Sequence, residues 1–309
     1  MEIRAWTYEN FPEFTKLPEG ADKIKTTGDE MWIAYINDVE YANIDGVPLH
    51  LQILRPVTRN EPEKVLPCVV FVQGSAWMKQ NVYMNVPQLA DLARKGYVVV
   101  CVEYRHSEIA AFPAQIKDAR NAVRFMKRHA AEYHIDPEKV VIAGDSSGGH
   151  TAVFVGLIHD DDSADNLFPG ISGEVKGIID YYGAVSALHE DDYPTTVNHH
   201  LPDSPEGMLM GGANLRERKD LCEKMSAKCY VTAETEIAPI LIFHGTKDRT
   251  VNARQSVELY QKLKECQKDA QLYLLEGADH GGAEFWTAEV IEIVDEFIRK
   301  CIGEVEAHS

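Results

Sequence analysis

Residues 140–150 read VVIAGDSSGGH, and this stretch decides the fold. An apolar run meets the pattern G-x-S-x-G at positions 144–148, and a segment able to start a helix follows it. In this strand–turn–helix setting the turn forces the central serine into a strained backbone and places its hydroxyl above the edge of a sheet. The flanking glycines avoid Cβ clashes where strand and helix pack closely. The pattern predicts that Ser146 is a nucleophile.

The neighbouring serine, Ser147, is the weaker candidate for the nucleophile. G-x-S-x-G also occurs by chance, and glycine-rich turns usually only connect elements, so the prediction depends on the strand–helix context. The letters are also similar to the G-D-S-G-G of trypsin-like proteases. The extra serine breaks that pattern, and the long helical segments argue against an all-β barrel protease.

A catalytic serine needs a base and an orienting carboxylate, which follow it in the chain order Ser, Asp or Glu, His when the nucleophile sits on such a turn. Residues 237–248 read IAPILIFHGTKD, a buried-strand pattern that ends at Asp248. Residues 271–282 read QLYLLEGADHGG, a second strand that leads into a loop with His280. Both residues lie just past strand ends, as a triad requires.

Other residues compete for these two roles. The chain has 12 histidines, and His280 differs from the rest because its loop follows the last predicted strand and precedes the final helix. His244 lies at a strand end and is expected to hydrogen-bond locally. Asp180 and Asp279 are rivals for the acid, although Asp279 is adjacent to His280 and is expected to point elsewhere.

A loop of small residues follows the third predicted strand, where residues 66–77 read LPCVVFVQGSAW. Acyl transfer passes through a tetrahedral oxyanion, which needs amide donors about 3 Å away. Small residues let the backbone approach a substrate closely. The backbone amides of Ser75, Ala76 and Ser147 are the predicted donors, and a tight surface turn is the alternative interpretation of the loop.

Strands and helices alternate after residue 66. Apolar runs at 98–104, 177–182, 239–243 and 271–275 are typical of a parallel sheet covered on both faces, and segments 114–132, 252–266 and 286–302 have helical periodicity. Residues 32–54 predict a hairpin that turns at Asp45-Gly46. Without an internal repeat or low-complexity linker, residues 1–309 are expected to form a single α/β domain.

Residues 185–236 interrupt this alternation, because they are polar, contain several prolines and run long between two core strands. A loop of that length is often a lid, so we expect a small, partly helical cap over Ser146. Apolar residues from the cap and from two loops are candidates for an acyl pocket, with ordinary core packing as the alternative. They are Trp77, Met208, Leu209, Met210, Phe285 and Trp286.

The formal net charge of −18 argues against nucleic acid and anionic membranes as partners, since both attract basic patches. The sequence contains no zinc motif, P-loop or dinucleotide fingerprint, so neither a metal nor a cofactor is expected. Six cysteines without paired spacing predict free thiols in a reducing compartment. With no apolar signal segment and no long apolar stretch, the expected location is cytoplasmic.

Five segments in order resemble the α/β-hydrolase superfamily, and within it carboxylesterases related to the bifunctional acetyl xylan and feruloyl esterases of gut and rumen bacteria. Residues 73–77 stand where that family usually has His-Gly-Gly-Gly/Ala-Trp, so Gln73 and Ser75 depart from its pattern. The other segments are VEYR (102–105) with FPAQ (112–115), SPE (204–206) with LMGG (209–212), HGTKDRTV (244–251) and GADHG (277–281).

The resemblance implies an α/β-hydrolase fold with a central, mostly parallel eight-stranded sheet flanked by helices. It also implies structural roles for Arg105, Asp118 and Asp145. The implied activity is hydrolysis of short-chain acyl or feruloyl esters, with a small-molecule or plant-polysaccharide-derived oligosaccharide ester as substrate. An arylformamidase or a small serine peptidase of the same fold is the alternative. A homo-oligomer is compatible with the sequence.

Overall fold

The stretch that contains Ser146 lies at the centre of a mixed sheet in a computed structural model, which describes residues 3–158, 165–188 and 194–304. Eight strands pair in the order β1-β2-β4-β3-β5-β6-β7-β8. Strand β2 is antiparallel to β1 and to β4, and every other pair is parallel. The strands are β1 (Trp32–Ile44), β2 (Val47–Val57), β3 (Leu66–Val72), β4 (Val98–Val102), β5 (Ile135–Asp145), β6 (Ile178–Tyr181), β7 (Ile240–Gly245) and β8 (Ala270–Leu275).

The predicted hairpin forms between β1 and β2. Asp45 and Gly46 connect the strands with φ angles of 53° and 82°. Two positive φ angles define the two-residue turn whose twist matches that of the flanking strands. The turn therefore sets the register of the antiparallel edge of the sheet.

Helices cover both faces of the sheet, and alternate residues of each strand face opposite layers. Val70, Val100 and Ile142 pack with α2, α4 and α7, whereas Phe71, Cys101 and Ala143 pack with α1 and α8. The helices are α1 (Val86–Ala93), α2 (Ala114–Arg128), α3 (Ala130–Tyr133), α4 (Ser147–Leu157), α5 (Pro205–Leu209), α6 (Lys219–Lys224), α7 (Arg254–Glu265) and α8 (Ala288–Cys301).

This strand order with helices on both faces is the α/β-hydrolase fold, as predicted. The parallel strands β3 to β8 end at one edge of the sheet, so the loops after β3, β5 and β7 meet there. That edge is where the sequence places Gly74, Ser146 and Asp248. No helix in the described ranges is long and apolar enough to cross a membrane.

The described part of the segment predicted as a cap contains three short helical pieces, namely α5, α6 and a 3₁₀ helix over Ala227–Tyr230. Its apolar side chains, among them Leu209, Leu215 and Met225, pack with Trp77 and Val251 in a separate small core. Residues 189–193 of the predicted cap lie outside the described residues. The described part of the segment is therefore anchored on the loops that follow β3 and β7.

Asp180 is a fully buried carboxyl at the end of β6. Its Oδ1 accepts a hydrogen bond from the amide of Gly183 at 2.9 Å, whereas its Oδ2 has no partner within the described part of the chain. Burial raises the pKa of Asp180 from 3.8 to about 7, against a smaller opposing effect of His244. The folded protein therefore holds this proton more tightly than the unfolded chain does.

We expect Ile142→Ala to lower the free energy of unfolding by about 2–5 kcal/mol, because Ile142 is fully buried in the central strand and truncation leaves a cavity. Ile24→Ala is the matched control, since Ile24 is 90% exposed and its truncation should change stability by less than about 0.5 kcal/mol. Urea denaturation of both variants measures the difference. Equal losses would contradict the placement of β5 at the centre.

We expect Asp180→Asn to flatten the dependence of stability on pH. A folded-state pKa above the unfolded value means that stability is greatest below pH 4 and falls as the pH rises to about 7, by on the order of a few kcal/mol. Asparagine keeps the acceptor for Gly183 but does not titrate. Denaturation at pH 5 and pH 8 should show a larger loss in the wild type, and parallel losses would show that Asp180 is ionised throughout.

Candidate active site

Ser146 occupies a sharp turn between β5 and α4, with φ 53° and ψ −122°. A non-glycine residue with positive φ is strained and persists only where the surroundings fix it. Here the constraint comes from Gly148, because a Cβ there would lie 1.9 Å from the carbonyl oxygen of Val72. Helix α4 therefore begins in close contact with β3, and Ser146 is held at the edge of the sheet.

The structure brings Ser146, His280 and Asp248 together in one hydrogen-bonded line. Ser146 Oγ lies 2.8 Å from His280 Nε2, and His280 Nδ1 lies 2.7 Å from Asp248 Oδ2. The imidazole is partly open to solvent, whereas the side chain of Asp248 is buried. With Nδ1–H donating to the carboxylate, Nε2 is free to accept the proton of Ser146.

Three further donors hold the Asp248 carboxylate in place. Its Oδ1 accepts from the amides of Thr250 and Val251, both at 2.8 Å, and His244 Nε2 lies 3.1 Å from Oδ2. Burial by itself would raise the pKa of Asp248, but the hydrogen bonds from His244 and His280 hold it well below the ordinary value. The carboxylate therefore stays charged and orients His280.

The rival acids lie elsewhere. Asp279 accepts hydrogen bonds from the side chain and the amide of Arg249 and from the backbone amide of His280, at 2.7–3.0 Å, and does not meet the imidazole. Asp180 bonds to Gly183 instead. His244 forms local hydrogen bonds as expected, to Ser256 Oγ at 2.7 Å and to the carbonyl of Val251 at 2.9 Å. Its additional contact with Asp248 is not predicted by the sequence pattern.

The loop after β3 presents fewer free amides than expected. The amide of Gly74 donates to Asp145 Oδ1 at 2.8 Å, and the amide of Ser75 donates to Ser147 Oγ at 2.9 Å. The prediction that Ser75 donates to an oxyanion is therefore corrected, because its N–H is already used. The amide of Ala76, a residue with φ 55°, has no acceptor in the described ranges.

The amide of Ser147 is the second available donor. Ser147 is the first residue of α4, and the first turn of a helix has no intrahelical acceptors for its N–H groups. The positive end of the helix dipole lies at the same point. Ala76 and Ser147 thus remain as the amides for an oxyanion.

Gln73, which departs from the family pattern, is held by hydrogen bonds, and an ion pair between Arg105 and Asp118 lies outside the triad. Gln73, which stands where a histidine is usual, donates from Nε2 to the carbonyl of Asn81 at 2.7 Å, and its backbone carbonyl accepts from Gln80 Nε2. Arg105 and Asp118 form a bidentate ion pair at 2.8–3.1 Å. These contacts order the loops that surround the site and do not touch the triad.

The apolar residues predicted to line an acyl pocket fall into separate groups. Phe285 is fully buried against Tyr182, and Trp286 packs against Phe71 and Tyr181 in the core beneath α8. Trp77 and Leu209 are buried in the small core of the cap segment. Trp77, Leu209 and Phe285 thus follow the alternative interpretation of ordinary core packing, and Trp286 packs against the core while it stays partly exposed. Met208 and Met210 are half-buried on the cap segment, and Met210 lines a separate surface cavity with Phe112 and Tyr230.

A cavity of about 550 Å³ lies beside the loop that carries Asp248. It is bordered by the chain segments 194–196, 246–253 and 277–279, so it adjoins the loops that carry both Asp248 and His280. Hydroxyl, amide and charged side chains line it. They include Thr195, Thr196, Thr246, Lys247, Arg249 and Asn252.

Reasoning from the sequence missed two aromatic neighbours of the site. The ring of Tyr182 stands edge-on to His280 with centroids 4.9 Å apart, and the hydroxyl of Tyr104 lies 3.2 Å from Ser147 Oγ. Tyr104 belongs to the VEYR segment, which was a usable signal, whereas Tyr182 follows β6 without a motif. Within the described ranges, no cluster of three metal-ligating side chains is present.

Known proteins similar to this chain are esterases. LipM of Mycobacterium tuberculosis, named a probable carboxylic ester hydrolase, is 25% identical over 83% of this chain, which spans 59% of the length of LipM. A truncated carbohydrate esterase from gut microbiota superposes with a TM-score of 0.76 at 25% identity, over 87% of this chain and 96% of that one. The chain spans only about half the length of the curated relatives it matches.

Esterase 2 of Thermogutta terrifontis, in a structure phosphonylated by sarin, superposes with a TM-score of 0.67 at 25% identity over 88% of this chain and 96% of that one. The sequence model of the BD-FAE family matches residues 51–263, more than half of the chain. The matched range contains the loop that follows β3, Ser146 and Asp248. The chain therefore belongs to the BD-FAE family.

Proposed function

We propose that the chain is a serine carboxylesterase. The hydrogen-bonded line from Ser146 through His280 to Asp248 carries the proposal, because this array activates a hydroxyl for attack on a carbonyl carbon. The similarity to LipM and to esterase structures supports the reaction class.

In the first half of the reaction, His280 Nε2 takes the proton of Ser146 while Oγ attacks the ester carbonyl. The carbonyl oxygen becomes an oxyanion beside the amides of Ala76 and Ser147, and their hydrogen bonds strengthen as negative charge develops. Asp248 stabilises the imidazolium without accepting its proton. His280 then gives the proton to the departing alcohol, which leaves an acyl group on Ser146.

In the second half, water attacks the acyl group while His280 again accepts a proton. Collapse of the second tetrahedral intermediate returns that proton to Ser146 and releases a carboxylic acid. These steps use only protein groups and water, so the proposed reaction needs no cofactor.

The proposed substrates are short-chain acyl or feruloyl esters of plant-polysaccharide-derived oligosaccharides. The net charge of −18 favours neutral or cationic esters over anionic ones. The cavity beside the Asp248 loop includes threonine hydroxyl and asparagine amide groups of the kind that bind sugar hydroxyls. The carbohydrate esterase among the structural neighbours supports the same substrate class.

Ser146→Ala should abolish turnover of p-nitrophenyl acetate and methyl ferulate, with a loss in kcat of about 10⁴-fold or more. Ser172→Ala, which removes the hydroxyl of an exposed serine, is the control and should retain wild-type rates. The ratio of the two wild-type rates reports whether the acyl site accepts an aromatic acid. A folded wild type that hydrolyses neither ester would contradict the proposal and favour formamide or peptide bonds as substrates.

Asp248→Asn should lower kcat by about 10³–10⁴-fold, because an amide in place of the carboxylate neither fixes the histidine tautomer nor stabilises imidazolium. Asp180→Asn is the matched control at the rival buried carboxyl and should leave kcat within about threefold. Steady-state rates on p-nitrophenyl acetate separate the two. A larger loss in Asp180→Asn would assign the acid to β6.

A further inference from the structure

Three hydroxyl groups and one backbone amide form a hydrogen-bonded ring that includes the loop after β3. Tyr104 Oη lies 3.0 Å from Ser75 Oγ and 3.2 Å from Ser147 Oγ, and the amide of Ser75 donates to Ser147 Oγ at 2.9 Å. Ser75 Oγ also donates to the carbonyl of Met78 at 2.6 Å. The ring thus joins the loop after β3 to the first residue of α4 and to the loop after β4.

One arrangement of protons satisfies every member of this ring. Ser75 Oγ–H donates to the Met78 carbonyl, so Ser75 Oγ accepts from the Tyr104 phenol. Ser147 Oγ–H donates to Tyr104 Oη, and Ser147 Oγ in turn accepts from the Ser75 amide. Burial raises the pKa of Tyr104 to about 12, so the phenol keeps its proton.

Two members of the ring are shielded from water, since Ser147 and Tyr104 are 1% and 2% exposed, whereas Ser75 is partly exposed. If the Ser147 hydroxyl is removed, the amide of Ser75 loses its acceptor. Because this amide is partly buried, the loss of its acceptor is costly, and the loop is expected to shift to find another. The next residue along the loop is Ala76, whose amide is proposed to bind the oxyanion.

The two neighbours of the nucleophile hold this loop together. The side chain of Asp145 accepts a hydrogen bond from the amide of Gly74, and the side chain of Ser147 accepts one from the amide of Ser75. The two residues that flank Ser146 therefore bind two consecutive N–H groups of the loop. The third amide, that of Ala76, is left for a ligand. Ala76 and Trp77 both have φ 55°, a left-handed conformation that persists only when neighbouring contacts enforce it.

We propose that the Ser147 hydroxyl, together with Tyr104 and Ser75, is a positioning device that sets the amide of Ala76 for oxyanion binding. The proposal rests on the esterase function proposed above. Ser147 then has two separate tasks: its amide contacts the oxyanion, and its hydroxyl orients the other donor. Ser75 acts through the same ring, because its amide donates to Ser147 Oγ.

Ser147→Ala tests this inference, because it keeps the backbone amide and removes only the hydroxyl. We expect kcat on p-nitrophenyl acetate to fall about 5- to 50-fold, less than the loss of a whole oxyanion donor, with KM within about threefold. Tyr104→Phe should lower kcat in the same direction. The double variant should lose no more than Ser147→Ala alone, because both changes open one ring.

Ser226→Ala is the matched control. Ser226 is a fully buried serine of the cap segment, and its Oγ accepts a hydrogen bond from the amide of Ala187 at 3.0 Å. Removal of this hydroxyl therefore also lowers stability, but it does not change a contact of the loop after β3. Its kcat should stay within about threefold of the wild type. Equal kcat losses in Ser147→Ala and Ser226→Ala would reduce the ring to a general structural role and overturn the proposal.

Amide hydrogen exchange separates this inference from the esterase proposal, since it does not require turnover. The peptide that spans residues 73–78 should exchange faster in Ser147→Ala than in the wild type, and should be unchanged in Ser226→Ala. Unchanged exchange in Ser147→Ala overturns the positioning role whatever the activity. Absence of wild-type ester turnover, with faster exchange in Ser147→Ala, would overturn the esterase proposal and leave the loop restraint supported.

Discussion

Helix α4 begins so close to strand β3 that a methyl group on Gly148 would lie 1.9 Å from the Val72 carbonyl oxygen. This approach draws the chain into the tight turn in which Ser146 has φ 53°. It also brings the side chains on either side of Ser146 within hydrogen-bonding distance of the loop that follows β3. The position of the nucleophile and the shape of the oxyanion loop therefore have one common cause.

Three buried carboxyls near the ends of β5, β6 and β7 differ in their hydrogen-bond donors, and this difference gives them different pKa values. Asp248 receives hydrogen bonds from two histidines and two amides, which outweigh burial and keep it ionised. Asp145 and Asp180 have fewer donors, and burial raises their pKa values to about 6 and about 7. Aspartate thus stays ionised at position 248, whereas at positions 145 and 180 it titrates closer to neutral pH.

The sheet, the hairpin and the three residues of the triad could be predicted from the sequence. They follow from the pattern of apolar residues, the chemistry of the turn residues and the order of the catalytic residues in the chain. The use of the Ser75 amide was not predictable in this way. It depends on the distance between two loops that are separated by more than seventy residues, and no local pattern encodes that distance. The packing of the loop therefore had to be seen in three dimensions.

The residues of an acyl pocket could not be predicted from the sequence for a different reason. Large apolar side chains such as those of Phe285 and Trp286 occur both in pocket linings and in cores, and the sequence does not distinguish these environments. The residues adjoin His280 in the chain, yet their rings turn towards Phe71, Tyr181 and Tyr182. Chain proximity to a catalytic residue is therefore a weaker guide to pocket residues than the direction in which the side chain packs.

The central claim is that Ser146 is an activated nucleophile, and covalent labelling with a fluorophosphonate tests it most directly. After incubation of the intact protein, tryptic digestion and mass spectrometry should locate one phosphonyl group on Ser146. Prior denaturation should prevent the labelling, because the histidine must be in place. A folded protein that remains unlabelled, or that carries the phosphonyl group on Ser147, would contradict the account.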